Sequence, residues 1–411
     1  MRYSRFLNSA HVTPKEMLAK AAAHCAARVA GRHVLAIQDT SEINHQAHAG
    51  RAHGLGRAGN GRDLGFFIHP CLAVDAAHGG IIGLAGGRVW KRPAKIGVDR
   101  KTRKIADKES QRWIDVAEDS IEALRPARTV TVVCDREGDI YDLFAAVADR
   151  GPRAHLLVRA ARERALAGEE ALLFAHAEAL PEQHRYEITV PAKPGRKKRT
   201  ATVALGFGRV EIKRPQRAAR ALPETIGLSV VVVREIAPPK DVEPVRWVLL
   251  TSHAIDTLAG AMEVVRWYRL RWHIEQLFRT LKTDGFAVED SQVVEAHALM
   301  NLTVAALIAA MLTLQLTLAR DGATGQPAGD GFDAKEIEVL SRIEASLPGK
   351  TAKQLNPHPP GCLAWAAWII ARLGGWTGYA SQKPPGPKTM HLGLTRFQAL
   401  TQGWLLREEN V

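Results

Sequence analysis

The 411-residue sequence contains only four cysteines, and no two of them lie close together. Cys25, Cys71, Cys134 and Cys362 form no C-x-x-C pair, so neither a cysteine zinc module nor a disulfide framework is indicated. The first 20 residues also lack the uninterrupted apolar core of a secretory signal. These absences predict a protein of the reducing cytoplasm that is not exported.

Long apolar runs are scarce as well, with one stretch that needs a membrane check. Ala298 to Leu318 is almost long enough and apolar enough to span a bilayer. It includes Asn301 and Gln315, whose polar groups are costly in hydrocarbon, and no neighbouring span would pair with them. We therefore predict a buried core helix, and we do not expect a membrane among the partners.

The overall composition is that of a folded protein with a strong basic excess. Hydrophobic residues make up 46% and charged residues 24%, which argues against disorder, and the length suggests two or three structural units. The formal net charge of +13 favours nucleic acid as a partner through phosphate contacts. A solvated positive face is the alternative, so the motifs must decide.

Two short apolar runs each end in an aspartate. The runs 33–39 and 129–135 are short and contain β-branched residues, which favours buried strands with Asp39 and Asp135 at their C-terminal ends. Either aspartate alone could simply cap the next turn or helix. Each carboxylate becomes chemically informative only in combination with others.

The surrounding pattern predicts an α/β core with a mixed sheet flanked by helices. Residues 66–75 and 80–90 are predicted strands joined by a turn, which gives the sheet an antiparallel section. A helix over 139–150 and a strand over 155–159 continue the alternation. The segment 41–65, rich in Gly, His, Arg and Asn, is predicted to be a mobile loop.

Changes in the spacing of apolar residues along the sequence predict five parts of the chain. Residues 162–251 show alternating apolar runs and predict an all-β insertion, whereas the chain after Asp256 has helical spacing. The predicted parts are a helical lead-in (1–30), the first part of the catalytic core (31–161), the β insertion (162–251), the second part of the core with a glutamate-bearing helix (252–320) and a helical C-terminal domain (321–411) that could serve dimerisation or synapsis.

The helix predicted over Trp267–Lys282 carries a polar stripe whose periodicity can be counted. At about 100° per residue, five polar side chains fall within an arc of about 80°. They are Tyr268, Arg271, Glu275, Arg279 and Lys282. Taken alone, this pattern is equally that of a solvated amphipathic helix with Arg–Glu pairs.

In combination, the two aspartates and Glu275 suggest metal-dependent phosphodiester chemistry. Two aspartates that end neighbouring strands, together with a glutamate on a later helix, could hold two divalent cations about 3.5–4 Å apart. Such ions activate the attacking oxygen and stabilise the leaving one. Hard oxygen ligands suit Mg²⁺, and Mn²⁺ could substitute for it.

Three motifs in this order closely resemble the DDE transposases of the insertion-sequence-four family, of the transposon-five type. They are Ala36-Ile37-Gln38-Asp39-Thr40-Ser41, Val133-Cys134-Asp135-Arg136-Glu137-Gly138-Asp139-Ile140-Tyr141, and Tyr268-x2-Arg271-x3-Glu275-x6-Lys282. The last has the spacing of that family's Y-R-E-K signature. The resemblance runs from about Arg5 to the C-terminal region and implies a ribonuclease H-like catalytic fold.

The resemblance also implies roles for particular residues. Asp39, Asp135 and Glu275 would be the catalytic residues and hold two Mg²⁺ ions per site. The other signature residues, Tyr268, Arg271 and Lys282, would grip DNA phosphates near the cleaved end.

Further DNA contacts are expected outside the signature. Trp247 resembles the family tryptophan that stacks on a flipped base, for which an aromatic face provides a physical basis. Arg159, at the end of a predicted strand, is a further candidate. Basic segments at 92–104 and 193–199 could contact phosphates, or could simply be solvated.

The implied activity is cut-and-paste transposition. Water would cut at the element's end, the freed 3′-hydroxyl could form a hairpin, and the opened end would join target DNA. The implied partners are double-stranded transposon ends, target DNA and a second subunit in a synapsed homodimer. The expected location is bacterial, cytoplasmic and nucleoid-associated.

One departure from the family leaves alternatives open. Members usually carry a helical DNA-end-binding domain before the catalytic core, whereas only 38 residues precede Asp39 here, which predicts that most of that domain is lacking. The start could be misassigned, or the protein could be a truncated, DNA-binding or dimerising inhibitor of transposition. A general ribonuclease H-like nuclease is the third reading.

Overall fold

The computed structural model describes residues 2–59, 61–92, 109–190, 197–347, 349, 351, 354–379 and 381–408. The strands in these residues are β1 (His33–Gln38), β2 (Ser41–Asn44), β3 (Gly56–Arg57), β4 (Leu64–Asp75), β5 (Ile81–Trp90), β6 (Thr129–Cys134), β7 (Ala154–Arg159), β8 (His184–Val190), β9 (Arg199–Lys213), β10 (Thr225–Glu235) and β11 (Arg246–Thr251). The helices are α1 (Arg2–Asn8), α2 (Pro14–Ala26), α3 (Gln111–Ala123), α4 (Tyr141–Ala148), α5 (Leu173–Ala179), α6 (Leu258–Leu270), α7 (Trp272–Lys282), α8 (Ala296–Ala319), α9 (Ala334–Ser346), α10 (Leu363–Leu373) and α11 (Pro387–Glu408).

All of these strands belong to one mixed sheet. Its main order is β5-β4-β1-β6-β7-β11-β10-β9-β8, and the short strands β2 and β3 also pair with β4. Strands β1, β6 and β7 run parallel to one another, whereas the other pairs are antiparallel. The predicted mixed sheet flanked by helices is therefore confirmed, and so are the two strands that end before Asp39 and Asp135.

The sheet separates two hydrophobic cores because successive side chains of a strand point to opposite faces. On β1, Val34 and Ala36 face a core shared with α3 and α4, whereas Leu35 and Ile37 face a core shared with α6, α7 and α8. Both faces of this strand are covered, so its sequence is continuously apolar rather than alternating.

Helix α8 contains the apolar stretch 298–318. Its length and composition would allow it to cross a membrane, which is weak evidence for a single helix, and half of its most apolar window is buried within the protein. Gln315 donates to the carbonyls of Ile81 and Asp330, at 2.8 and 3.1 Å. Asn301 donates to two carbonyls of the α1–α2 region, at 2.9 and 2.8 Å. These contacts place the helix as an interior element of the fold.

The region 162–251 extends the sheet instead of forming a separate β layer. β11 pairs with β7, and β10, β9 and β8 follow outward in antiparallel order. The region also contains the helix α5, so its description as all-β needs correction. Alternation along single strands predicts strands, but it does not reveal that they continue a sheet begun elsewhere in the chain.

The segment 41–65 also differs from the predicted mobile loop. β2 and β3 both pair with β4, and a single 3₁₀ turn, Gln46–His48, lies between them. Glycine and polar residues hide these strands from sequence reasoning, because short edge strands carry little apolar patterning. In its described residues, the segment therefore contributes two short strands to the sheet.

Residues beyond α8 form a third hydrophobic cluster from α9, α10, α11 and the end of α8. A bidentate ion pair links this region to the start of β1: Arg32 donates to both carboxylate oxygens of Asp330, at 2.9 and 2.8 Å. Asp333 and Glu336 form a reciprocal capping box that begins α9.

Candidate active site

Two carboxylates meet at one edge of the sheet because β1 and β6 are adjacent and parallel, with Ile37 opposite Val133. Asp39 and Asp135 are the first residues after these strands. One oxygen of Asp135 accepts a 2.8 Å bond from the Glu137 amide and so caps a 3₁₀ turn. The capping role is therefore real, and it leaves the second oxygen free of that bond.

The electrostatics show that this edge is crowded with negative charge. Burial, followed by the nearby charge of Asp135, raises the pKa of Asp39 to about 7, against the opposing effect of Arg271. Glu275 also contributes a small upward effect. The three acidic side chains therefore influence one another, although they come from three separated elements.

Arg271 connects the third carboxylate to the first. Its Nη1 lies 3.1 Å from Asp39 Oδ2, and its Nη2 donates to Glu275 Oε1. One guanidinium thus spans the distance between these two carboxylates. The side chains of Arg271 and Asp39 are only 15% and 16% exposed, whereas Glu275 is 34% exposed. The pairing is shielded at the aspartate and more open at the glutamate.

The predicted helix Trp267–Lys282 is in fact two helices that meet at Arg271. The Arg271 amide bonds to the Tyr268 carbonyl and the Ile274 amide bonds to the Arg271 carbonyl, both at 3.2 Å. These i to i−3 bonds tighten the backbone at the junction of α6 and α7. Side-chain periodicity passes through such a junction almost unchanged, which explains why counting did not detect it.

Tyr268 and Trp247 form an aromatic wall beside Arg271. The Tyr268 ring lies 5.9 Å from the Arg271 guanidinium and 5.7 Å from the Trp247 ring. Tyr268, a member of the counted polar stripe, is buried. Burial raises the pKa of its hydroxyl, and the cations Arg271 and Arg159 oppose that shift. Arg159 itself donates to the Arg246 carbonyl at 2.8 Å.

Lys282 is not part of this cluster. It pairs with Glu289 at 3.2 Å, and seven residues of helix place it about 10 Å along the axis from Glu275. The structure therefore brings Asp39, Asp135, Glu275, Arg271, Tyr268, Arg159 and Trp247 to one edge and leaves Lys282 at its margin.

The basic segments are described only in part. Residues 93–104 and 193–196 lie outside the described residues. At the described ends, Arg92 pairs with Glu109 at 2.7 Å and Arg199 pairs with Glu235 at 2.8 Å. Both of these cations are thus already engaged within the protein.

Sequence analysis did not identify two residues, Arg112 and His69, that contact the side chain of Thr40, next to Asp39. Arg112 donates to the Thr40 hydroxyl at 3.0 Å, and that hydroxyl lies 2.8 Å from His69 Nδ1. Thr40 belongs to the first motif, but Arg112 and His69 stand far from any motif in the sequence. The pairing of β4 with β1 brings His69 to this edge, and the packing of α3 on the sheet brings Arg112.

The donor chemistry suits a hard divalent cation, because the edge offers three carboxylates. Within the described part of the chain, no three His, Cys, Asp or Glu side chains are arranged to hold a metal ion. The positive charge between Asp39 and Glu275 is instead that of Arg271. Arg271 thus occupies one oxygen of each of these two carboxylates, and a metal ion would compete with it for those oxygens.

The chain thus has a mixed α/β fold in which acidic side chains and Arg271 lie together at one edge of the sheet. The chain matches the family model for the transposase DDE domain over residues 105–312, about half of its length, and it belongs to that family. The matched residues include Asp135, Arg271 and Glu275, whereas Asp39 precedes them. The family generally uses divalent metal ions.

A solved structure gives a more distant likeness. The cryo-EM structure of a piggyBac transposase synaptic complex with hairpin DNA matches 79% of this chain and 59% of that chain, with 11% identity and a TM-score of 0.30. This chain therefore spans less than two thirds of the length of that transposase. A likeness of this size carries no conclusion about the fold or activity of this protein.

Proposed function

We propose that this chain is a cut-and-paste DNA transposase of the insertion-sequence-four type, with Asp39, Asp135 and Glu275 as its catalytic carboxylates. The observation that carries the proposal is the meeting of these three side chains at one sheet edge, with Arg271 joined to two of them. Membership of the DDE transposase family supports the same reaction class.

The sheet order supports a ribonuclease H-like core within this proposal. The first five strands of that core would be, in chain order, β1, β4, β5, β6 and β7. Their order across the sheet is β5-β4-β1-β6-β7, or 3-2-1-4-5 in core numbering, and β4 is antiparallel to β1. The core would comprise residues 31–161 and 252–320, and 162–251 would extend its sheet. Residues 1–30 and 321–411 would be helical additions at either end.

The carboxylates would hold two Mg²⁺ ions, for which Mn²⁺ could substitute, and these ions would supply activation of the attacking oxygen and stabilisation of the leaving oxygen. The protein's own part is positioning and charge neutralisation. Arg271 would turn from the carboxylates toward a DNA phosphate when DNA and metal arrive. Its fork geometry suits either anion, so the exchange conserves its hydrogen bonds.

The neighbouring side chains would grip the DNA end. Arg159 and Tyr268 lie beside Arg271 and would contact the phosphates around the cleaved bond. Trp247, half-buried next to Tyr268, would stack on an unpaired base. Lys282 would reach a phosphate farther along the strand after leaving Glu289.

The proposed partners follow from this reaction. Double-stranded transposon ends and target DNA would be the substrates, and two subunits would synapse two ends. A bacterial cytoplasm with access to the nucleoid is the proposed setting. The basic net charge of +13 supports attraction to DNA.

The test compares Glu275→Gln with the wild type on duplex DNA that carries the inverted repeats flanking the coding sequence. Glu338→Gln is a matched control, because Glu338 also pairs with an arginine one helical turn away, at 2.8 Å, but lies on α9. We expect Mn²⁺-dependent nicking by the wild type and the control and none by Glu275→Gln. Normal nicking by Glu275→Gln would refute the site.

Two other outcomes identify the rival functions. DNA binding by the wild type without nicking in any divalent metal would indicate a binding protein that inhibits transposition. Nicking without preference for the inverted repeats would indicate a general nuclease.

A further inference from the structure

A chain of hydrogen bonds runs beneath the acidic edge, and its direction can be worked out. Gln38 Nε2 lies 3.2 Å from the Trp113 carbonyl, which only accepts, so its Oε1 must face His69 Nε2, at 2.9 Å. His69 therefore carries its proton on Nε2, and its Nδ1 accepts from the Thr40 hydroxyl at 2.8 Å. The Thr40 oxygen is left to accept from Arg112 Nε, at 3.0 Å.

The burial of His69 keeps this direction fixed. Its side chain is fully buried, and its ring meets the Trp113 ring edge-on at 4.6 Å. Burial, reinforced by the charge of Arg112, holds the pKa of His69 well below its usual range. The ring is therefore neutral, and a neutral ring has one donor and one acceptor nitrogen.

Arg112 is held at several points and is linked to both aspartates. Besides Thr40, it donates to the Glu109 carbonyl at 2.7 Å and to the Glu137 carboxylate at 3.1 Å. The Thr40 amide bonds to Asp39 Oδ1 at 2.7 Å, and the Glu137 amide bonds to Asp135 Oδ1 at 2.8 Å. Arg112 thus binds the residue that orients each catalytic aspartate.

We propose that Arg112 is a positioning residue that fixes Asp39 and Asp135 relative to each other, acting through Thr40 and Glu137, with His69 holding the Thr40 hydroxyl in the required direction. This inference rests on the proposed metal-dependent function. It assigns Arg112 no contact with DNA and no contact with the reacting atoms.

The contacts of Arg112 with Thr40 and with Glu137 should contribute unequally to this positioning. The Thr40 hydroxyl is also bonded to the buried His69, whereas the side chain of Glu137 is 63% exposed. Exposed ion pairs contribute little, because water screens them. Substitution of Thr40 should therefore disturb the site more than Glu137→Gln does.

The first measurement is Mn²⁺ affinity by calorimetry for the full chain. We expect Arg112→Gln and Thr40→Val to weaken it by about 10- to 100-fold, as loss of outer-shell support commonly does. Thr40→Ser keeps the hydroxyl and should remain near the wild type, and thermal unfolding of each variant checks that it folds. The double variant Arg112→Gln/Thr40→Val should bind Mn²⁺ no more weakly than Arg112→Gln alone, because that substitution already removes the bond between Arg112 and Thr40.

The second measurement separates positioning from DNA contact. Binding of end DNA in EDTA should be the same for Arg112→Gln as for Arg150→Gln, a matched loss of one charge from the Arg150–Glu118 pair on the surface. If Arg112 touches a phosphate, its substitution should weaken DNA binding more than the control substitution does. It should also reduce the slope of log affinity against log salt concentration by about one. That result would overturn the inference.

The third measurement works even if the proposed function fails. Hydrogen exchange of the amides at positions 40 and 137, read by NMR without metal, should be faster in Arg112→Gln than in Arg150→Gln. Unchanged exchange would refute the positioning role whatever the protein catalyses. Faster exchange in a protein that neither binds Mn²⁺ nor cleaves would uphold the positioning role and refute the proposed function instead.

Discussion

Replacement of Arg271 by glutamine should have opposite consequences in the absence and presence of a divalent metal. Arg271 is the cation that lies between Asp39 and Glu275, 3.1 Å from the former. Glutamine is two bonds shorter than arginine and carries no charge. Without metal, the variant leaves three mutually repelling carboxylates uncompensated, whereas with metal it removes a competitor for the same oxygens.

The size of the first effect follows from the two hydrogen bonds that Arg271 donates to Asp39 and Glu275. Hydrogen bonds to charged groups contribute about 1.5–3 kcal/mol each. The exposure of Glu275, at 34%, places its bond near the bottom of that range. Asp39, whose pKa is raised to about 7 even beside Arg271, can take up a proton once that cation is gone, which reduces the loss. A net loss of about 2–3 kcal/mol is expected. With an unfolding entropy of about 2.1 cal/mol/K per residue, this lowers the Tm by roughly 2–4 °C in a chain of this length.

Thermal unfolding in EDTA and in a series of Mn²⁺ concentrations measures both effects. We expect Arg271→Gln to melt below the wild type in EDTA and to gain more stability from Mn²⁺, because no cation must first be displaced. Arg279→Gln is the matched control, since Arg279 lies two turns farther along α7 with a side chain 76% exposed. Equal Mn²⁺-induced shifts in wild type and Arg271→Gln would refute the idea that this guanidinium holds the metal position.

Three further results are expected. Trp247→Ala should abolish the fluorescence change that 2-aminopurine at the transposon end shows on binding. Trp272→Ala, at an exposed tryptophan, should leave that change intact. Equal fluorescence changes in the two variants would show that Trp247 does not stack on the base. Gln315→Leu should cost about 1–3 kcal/mol of unfolding free energy. The Asp330 carbonyl loses the bond from Gln315, whereas the Ile81 carbonyl keeps its bond from Gln326. An unchanged denaturant midpoint would contradict this. Burial lowers the pKa of His33 to about 4 and that of His253 to about 3. Between about pH 6.5 and 4 the folded state therefore binds fewer protons than the unfolded state. The free energy of unfolding should be constant above about pH 6.5 and fall as the pH drops toward 4. His33→Gln should flatten that decline in urea titrations, and an equally steep decline would show that other groups cause it.

The strands that carry the aspartates could be predicted because local sequence determines them. Runs such as 129–134 are short, apolar and rich in β-branched residues, and burial on both faces leaves little room for polar residues. Once two such strands are parallel neighbours, the residues after them must share one edge. The prediction of Asp39 and Asp135 as a pair therefore needed only strand assignment and one pairing.

The continuation of the sheet through β11 could not be predicted in the same way. Alternating residues in 184–190 and 199–213 indicate strands with one more exposed face, and a separate β layer would show the same pattern. What decides is the pairing of β11 with β7, a contact between residues about 90 positions apart. Pairing of this kind depends on the whole topology and leaves no mark in the sequence near either strand.

The supporting residues of the site are hidden for a related reason. Arg112 stands near the start of an amphipathic helix, where an arginine ordinarily faces solvent, and His69 stands inside an apolar strand. Neither position signals chemistry until β4 pairs with β1 and α3 packs on the sheet, which brings both side chains to the Thr40 hydroxyl. A motif thus identifies side chains that react, because those must be of a particular type. The groups that orient them need only reach the right atoms, and they can come from any part of the chain.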